Sequence, residues 1–393
     1  MTQFKKSKLA AAVLAATVAA PASAVTWQAG DWEASYTGTV NLFANMINNN
    51  MANVEDSFHM NEGLLPAFHT MKVVSPATNG LTGTAQISFA PDSSRAKTDT
   101  QAKGGNQIDM REVFFNVSGS FGTVSLGTTL SLFQRQAILN DMTLFGVGAM
   151  VGTEGSGTTL GRINHGYVYP EFNSRMAWKS PDMGGFNIEI GLFDPDELAA
   201  GFETDAPQFQ TEMSYTTSFD GGSFMVWAGG IYQEMERTAG GDVTTQGVNV
   251  GAKVAAGGLS VVGSVYDGEA IGTVRTLVTL FDDSGGGGAP GAIGGAIGVA
   301  NAFACAGTNC TEADNDGYYI QGTYNWNGAT TFGLSYGESN QDASGGNTAS
   351  SSELTTIGLY HDVNSWLKVV AEYNMQAGFQ KNDALSLGGF IFW

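Results

Sequence analysis

The sequence predicts an all-β chain: a 16-stranded antiparallel transmembrane β-barrel with short turns at one end and long loops at the other. Three observations predict it. Apolar and polar residues alternate with period two almost throughout, the connections fall into two unequal classes, and the chain closes on the apolar run LSLGGFIFW, residues 385–393. Strands with one apolar and one polar face suit a sheet standing between lipid and water. Soluble domains more often let their last residues fray into solvent.

The N-terminus reads as an export signal. Lys5, Lys6 and Lys8 precede the apolar stretch Leu9–Ala20, and Ala22-Ser23-Ala24 forms an A-x-A cleavage site. The apolar stretch is too short to span a bilayer as a helix. Removing residues 1–24 leaves a barrel domain, 25–393, and deepens the acidic excess of a chain with 37 acidic and 17 basic residues. That excess argues against a nucleic-acid partner, which needs a basic footprint. Only 14% of residues are charged, yet mean hydropathy is near zero. A helical membrane protein would be more apolar, whereas alternating strands hide from average hydropathy. The charge-free stretch Ser284–Thr311 is rich in Gly and Ala. It reads as a loop, with a spanning helix carrying G-x-x-x-G at 291–295 as the alternative.

Individual strands follow from the alternation. In WEASYTGTVNLFAN, Trp32, Ala34, Tyr36, Val40, Leu42 and Ala44 share a face opposite Glu33, Ser35, Thr37, Thr39 and Asn41. Leu81, Ala85, Ile87 and Phe89 do the same, as do Phe186, Ile188, Ile190 and Leu192, and later Ile320, Tyr324 and Trp326. Tight turns are marked at 79–80, 119–122, 181–185, 220–222, 257–258, 327–328 and 362–364. Longer connections alternate with them at 91–107, 131–172, 194–207, 234–242, 267–316 and 338–352. With both termini on the short-turn side, seven tight turns separate eight hairpins, hence 16 strands. A loop as long as 131–172 is foreign to a compact soluble domain. Counting back by twos from Trp393 puts Ile391, Gly389, Leu387 and Leu385 on one apolar face. This strand must pair with the first, because lipid tolerates no open sheet edge.

REVFFNVSGSFGTVSLG (111–127), NSRMAWKSPDMGGFNIEIG (173–191), IGLYHDVNSWLKVVAEY (357–373) and the terminal FIFW together resemble strand–turn–strand segments of the Gram-negative general porins. The resemblance implies a homotrimeric diffusion channel in the outer membrane of a Gram-negative bacterium, passing small hydrophilic solutes and ions, with no cofactor. It implies contact with outer-membrane lipids, and recognition of Phe390 and Trp393 by the barrel-assembly machinery. It also implies that loop 131–172 folds into the lumen and narrows it. Arg135, Asp141, Glu154, Arg162, His165 and Glu171 are then its candidate constriction residues.

Strand parity supplies the wall. Met176 and Trp178 outward put Arg175 and Lys179 inward, and the same counting turns Glu189, Glu212, Lys253, Lys368 and Glu372 inward. Arg111 matches the family's wall arginine, although Val113, Phe115 and Val117 share its parity and would face the lumen with it. With only seven arginines, the dense arginine ladder of the family is missing. The acidic wall residues predict a weak preference for cations.

Cys305 and Cys310 lie in the long loop 267–316. In an exported protein their simplest state is a disulfide; zinc binding is the alternative, and it lacks a nearby histidine. Glu312, Asp314 and Asp316 alternate as calcium ligands can, but without the full calcium-loop spacing. They read as a solvated acidic segment, and no metal site is expected. Neither H-E-x-x-H nor a P-loop occurs, and His59, His69, His165 and His361 are widely separated. An enzyme is therefore not expected, an outer-membrane hydrolase being the least supported reading. The second reading is a substrate-selective or ligand-binding barrel, using loops 131–172 and 267–316 and an aromatic track from Phe114, Phe193 and Tyr319.

Overall fold

The computed structural model describes residues 24–91, 108–150, 158–195, 202–238, 240–271, 303–306, 309–343, 349–378 and 381–393. The residues expected to form an export signal, apart from Ala24, lie outside them, as do Glu154 and most of the charge-free stretch 284–311. Twenty-one strands follow in order. They begin with β1 (Val25–Ala29), β2 (Trp32–Asn49), β3 (Ser57–Asn61), β4 (Phe68–Val74), β5 (Thr82–Pro91), β6 (Ile108–Gly119) and β7 (Gly122–Leu130). Next come β8 (Phe172–Lys179), β9 (Phe186–Phe193), β10 (Phe202–Glu203), β11 (Gln208–Phe219), β12 (Gly222–Arg237), β13 (Asp242–Ala256) and β14 (Leu259–Glu269). The last are β15 (Phe303–Ala306), β16 (Asn309–Glu312), β17 (Asp314–Asn325), β18 (Thr330–Gln341), β19 (Ser350–Asp362), β20 (Leu367–Gly378) and β21 (Asn382–Phe392).

Each wall strand pairs antiparallel with its neighbours, β3 and β4 serving as one interrupted strand beside β2. The wall is then a closed barrel of 16 strands. β15 and β16 form a separate hairpin in which Cys305 stands opposite Cys310, and no described cysteine is free. Strands run farther than the alternation suggested. β12 and β13 leave only 238–241 between them, and β18 extends to Gln341.

Closure falls between β2 and β21, where Thr39–Asn49 pairs with Phe392–Asn382. Trp393 extends the ladder: its N–H donates to the Gly38 carbonyl at 3.1 Å and its carbonyl accepts from the Gly38 N–H at 3.0 Å. The indole lies across Gly38, where any Cβ would overlap it. Beyond that point β1 takes up the free edge of Trp32–Tyr36. Outside, Tyr36, His69 and Trp393 pack with ring centroids 5.1–6.0 Å apart, part of an aromatic girdle at the short-turn end. Val40, Leu42, Ile87, Met176, Ile190, Val250, Leu334 and Leu387 are exposed on the same outer face, as a lipid-facing belt requires.

The ambiguity at Arg111 has a structural answer. Ser88 pairs with Glu112 and Phe89 with Met110, so Arg111 is the extra residue of a β-bulge. Parity reverses there. Arg111 and Glu112 both turn to the lumen, while Met110 (52% exposed), Val113 (47%) and Phe115 (48%) stay outside. The bulge resolves the ambiguity of the alternation: Arg111 faces the lumen without taking Val113 and Phe115 with it.

Replacing Gly38 with Val is expected to displace the Trp393 indole from the β2–β21 seam and lower the temperature at which the folded barrel converts to its slower-migrating form. Semi-native electrophoresis across a temperature series measures this, with Ala44→Val, on the same strand but away from the indole, as the comparison.

Candidate functional site in the barrel lumen

From the end of β7 the chain turns inward, and its described parts, 131–150 and 158–171, lie within the barrel with a short helix, α1 (Arg135–Leu139), and a 3-10 turn at Met142–Phe145. Its composition explains the path. Leu132, Phe133, Ala137, Ile138, Leu144, Val147, Leu160, Ile163 and Tyr167 are buried, far more apolar surface than a solvated loop leaves to water. Wall residues that would line water in an open pore receive them. Ile138, Leu160 and Tyr167 pack with Trp227, Val262, Tyr319 and Leu354. Val147 and Met150 join Phe43, Tyr360, Val370 and Phe390, and Phe133 and Val168 join Ile231, Met235, Val243 and Tyr266.

Burying a loop also buries its backbone groups, which need partners, and inward polar side chains of the wall supply them. Gln210 Oε1 accepts from the N–H groups of Leu132 and Phe133 at 2.9 and 2.8 Å. Gln321 accepts from the Met142 N–H at 2.8 Å and donates to the Asn140 carbonyl at 2.7 Å. The Tyr319 hydroxyl donates to the Ala137 carbonyl at 2.8 Å. Glu372 accepts from the N–H groups of Val147 and Gly148 at 3.0 and 2.8 Å, and from the Tyr360 hydroxyl at 2.7 Å. Gly146 is needed beside it, because a Cβ there would overlap the carboxylate.

The charges of the loop serve the same anchoring. Arg135 bonds Glu189 at 2.7 Å and Glu212 at 2.6 Å, and Arg175 reaches Glu189 at 3.2 Å. Burial opposes the Arg135 charge, but Glu189 and Glu212 outweigh it and raise its pKa. Asp141 caps the 3-10 turn through the Thr143 N–H at 2.9 Å and accepts from the Tyr167 hydroxyl at 2.8 Å. Arg162, fully buried, stands 3.8 Å from Asp141 and donates to the Leu354 carbonyl at 2.9 Å and to Ser335. Burial lowers the Arg162 pKa despite Asp141. His165 faces the Ile163 carbonyl through Nδ1 at 2.9 Å and Gln376 Nε2 through Nε2 at 3.1 Å, the geometry of a neutral imidazole with its proton on Nδ1. Burial, with Arg162 nearby, pushes it down to about 4.

The loop residues named from sequence therefore do not all face water. Asp141, Arg162, His165 and Glu171 are at most 8% exposed, and Arg135 forms ion pairs with wall carboxylates. On the wall, Glu189, Glu212 and Glu372 are 6%, 6% and 1% exposed. The acidic groups expected to tune the water path hold the loop instead. Arg111 donates to Asp109 at 2.7 Å, lies 3.5 Å from the Tyr169 hydroxyl, and sits 5.5 Å over the Phe172 ring. Lys253 donates to Asn140 Oδ1 at 3.2 Å, and Lys368 pairs with Asp362 at 2.6 Å. Lys179, at the end of β8, pairs in register with Glu189.

Sequence reasoning missed Glu112, which accepts from Gln86, Ser88 and Thr129 at 2.6–2.9 Å, because the bulge hid its parity. It also missed Lys72, which the alternation Phe68, Thr70, Lys72 could have revealed. Both line a cavity of about 560 Å³ between the loop and β4–β6, with Gln86, Arg111, Leu139, Phe145 and Tyr169. Phe114, Phe193 and Tyr319 do not make an aromatic track: Phe193 lies under Arg175 at 5.9 Å and Tyr319 packs on Tyr167 at 5.8 Å. Gly333-Leu334-Ser335-Tyr336-Gly337 carries the letters of a hydrolase nucleophile turn, yet it is continuous strand in β18 with Ser335 engaged by Arg162; that chemistry needs a sharp strand-to-helix turn. Among the described residues no three His, Cys, Asp or Glu side chains gather as a metal site.

A family model described as Gram-negative porin matches residues 10–381. No curated protein sequence matches the chain significantly. Solved structures share the fold at low identity. The outer membrane channel DcaP of Acinetobacter baumannii superposes with a TM-score of 0.67 at 12% identity, over 93% of this chain and 99% of that one. The anion-selective porin from Comamonas acidovorans gives 0.64 at 13%, over 92% and 100%. The trimer form of OmpT from Vibrio cholerae gives 0.55 at 13%, over 93% and 100%.

Arg135→Ala leaves Glu212 without its cation and is expected to destabilise the folded barrel by about 3 kcal/mol, as stranding a buried charge does; thermal conversion of the purified barrel measures it. A second expectation concerns pH. The unfolded imidazole takes a proton near 6.5, well above the folded value, so stability present above that pH is lost as pH falls towards 4, by up to about 3 kcal/mol. Comparing conversion temperatures at neutral pH and near pH 4 should show a larger drop for the native chain than for His165→Gln.

Proposed function

The chain belongs to the Gram-negative porin family, and on that premise we propose that Ser131–Glu171 is the element that narrows its pore. The protein is an outer-membrane diffusion channel, and its family comprises channels rather than enzymes. The observation that carries the proposal is the set of bonds from β9, β11, β17 and β20 to the loop backbone and to Arg135. They hold the loop against one side of the wall and leave the cavity beside β4–β6 as the path for small hydrophilic solutes. A loop held this firmly makes size exclusion a property of fixed geometry. The working unit in this reading is a homotrimer; one structurally similar porin is recorded in a trimer form. Phe390 and Trp393 are the residues through which the assembly machinery would read the last strand.

In planar lipid bilayers the purified protein is expected to give ohmic current in steps of three. Gln210→Ala combined with Glu372→Ala removes loop anchors and should raise unit conductance and current noise together. Unchanged conductance from a folded double variant would sink the narrowing role of the loop. A second reading, a substrate-selective barrel, draws support from the apolar packing that fills much of the lumen; saturating current with a solute would favour it.

A further inference from the structure

The net charge of the chain is −20, yet the charges left facing water at the short-turn end of the lumen are basic. Lys72, Lys179, Lys253 and Lys368 all stand close to that end of their strands, on β4, β8, β13 and β20. Counted from β2 around the closed wall, these are the second, sixth, tenth and fifteenth strands, so one lysine occurs in each quarter of the circumference. Their inward orientation follows from register and contact. Lys72 pairs with Ser35 and Gln86 and shares their cavity. Lys253 bonds Asn140 at the underside of the loop, Lys179 pairs with Glu189, and Lys368 lies opposite inward Phe390.

Apart from Glu112, which shares the cavity of Lys72 and is bonded by the neutral Gln86, Ser88 and Thr129, the opposing carboxylates are spent or displaced. Glu189 and Glu212 are bonded to Arg135 and Arg175, Glu372 is sealed against the loop, and Asp362 serves Lys368. Among the described residues no ion pair neutralises Lys72, Lys179 or Lys253. Glu33 lies farther out beside the exposed mouth, and Asp182 and Asp220 lie in the turns, where open solvent screens charge within about 8 Å. Inside a narrow, low-dielectric wall the same charge acts over the whole cross-section. We infer that this lysine ring makes the channel prefer small anions, against both the net charge of the protein and the acidic wall expected from parity. Lys72, Lys179 and Lys253 are the residues that set the preference, by raising anion concentration in the vestibule below the loop.

The inference rests on the channel reading, and one experiment separates the two. Under a KCl gradient in a planar bilayer, the reversal potential of the native protein should fall on the chloride side, with chloride favoured about threefold. Lys72→Gln, Lys179→Gln and Lys253→Gln together should bring the ratio close to one, and the three Glu replacements should invert it. Asp316→Asn, on the outer face of β17, should leave it unchanged. Ohmic current with a potassium-side reversal overturns the anion preference and keeps the channel. So does a chloride preference indifferent to the three lysines, which would place its origin outside this ring. A folded barrel that passes no current overturns both readings.

Discussion

A sheet in lipid cannot leave an edge, because an unpaired N–H or C=O has no water to turn to. Everything else here depends on the seam that meets this constraint, Thr39–Asn49 against Asn382–Phe392. The seam forces both faces of every strand to be useful, one to lipid and one to the interior. It also explains the aromatic inner face of β21: Phe390 and Phe392 stack on each other, and Phe145 of the loop meets both with centroids 5.8–5.9 Å away. The closing strand is thus held from outside by the Trp393 cluster and from inside by the loop.

The interior is a compromise between a pore and a protein core. Residues such as Trp227, Val262 and Leu354 point inward without serving water; they exist for Leu160, Ile163 and Tyr167. Around them Gln, Glu and Tyr side chains of the wall take up backbone groups of the loop, while the Gln134 amide and the Trp227 indole nitrogen are buried without a hydrogen-bond partner. Charge is divided accordingly. Carboxylates are placed where they meet N–H groups or guanidinium, and lysines, whose heads tolerate water on flexible stems, are left at the mouth.

The barrel was legible because period two is a local signal that each strand writes for itself. Strand number and closure needed only turns and parity. The role of the loop residues was not legible in the same way. Asp141 and Arg162 look like solvated charges in a list, and only the fold brings Tyr167, Ser335 and the Leu354 carbonyl to them. A signal was present in the apolar density of 131–171, which a water-filled constriction does not need. Parity failed at one place, Arg111, where an extra residue cannot be seen without the partner strand that skips it.

That bulge has an evolutionary consequence. Removing Arg111 would leave Met110 outside and Glu112 inside, with Ser88 still opposite Glu112 and regular alternation restored on both sides. An insertion of one residue elsewhere in a wall strand would rotate its remainder out of register with lipid. Here it adds a lumen charge while the membrane face stays as it was. A barrel can therefore revise its interior by changing length at a bulge, as well as by substitution, and such sites are where related channels can differ in charge without differing in fold.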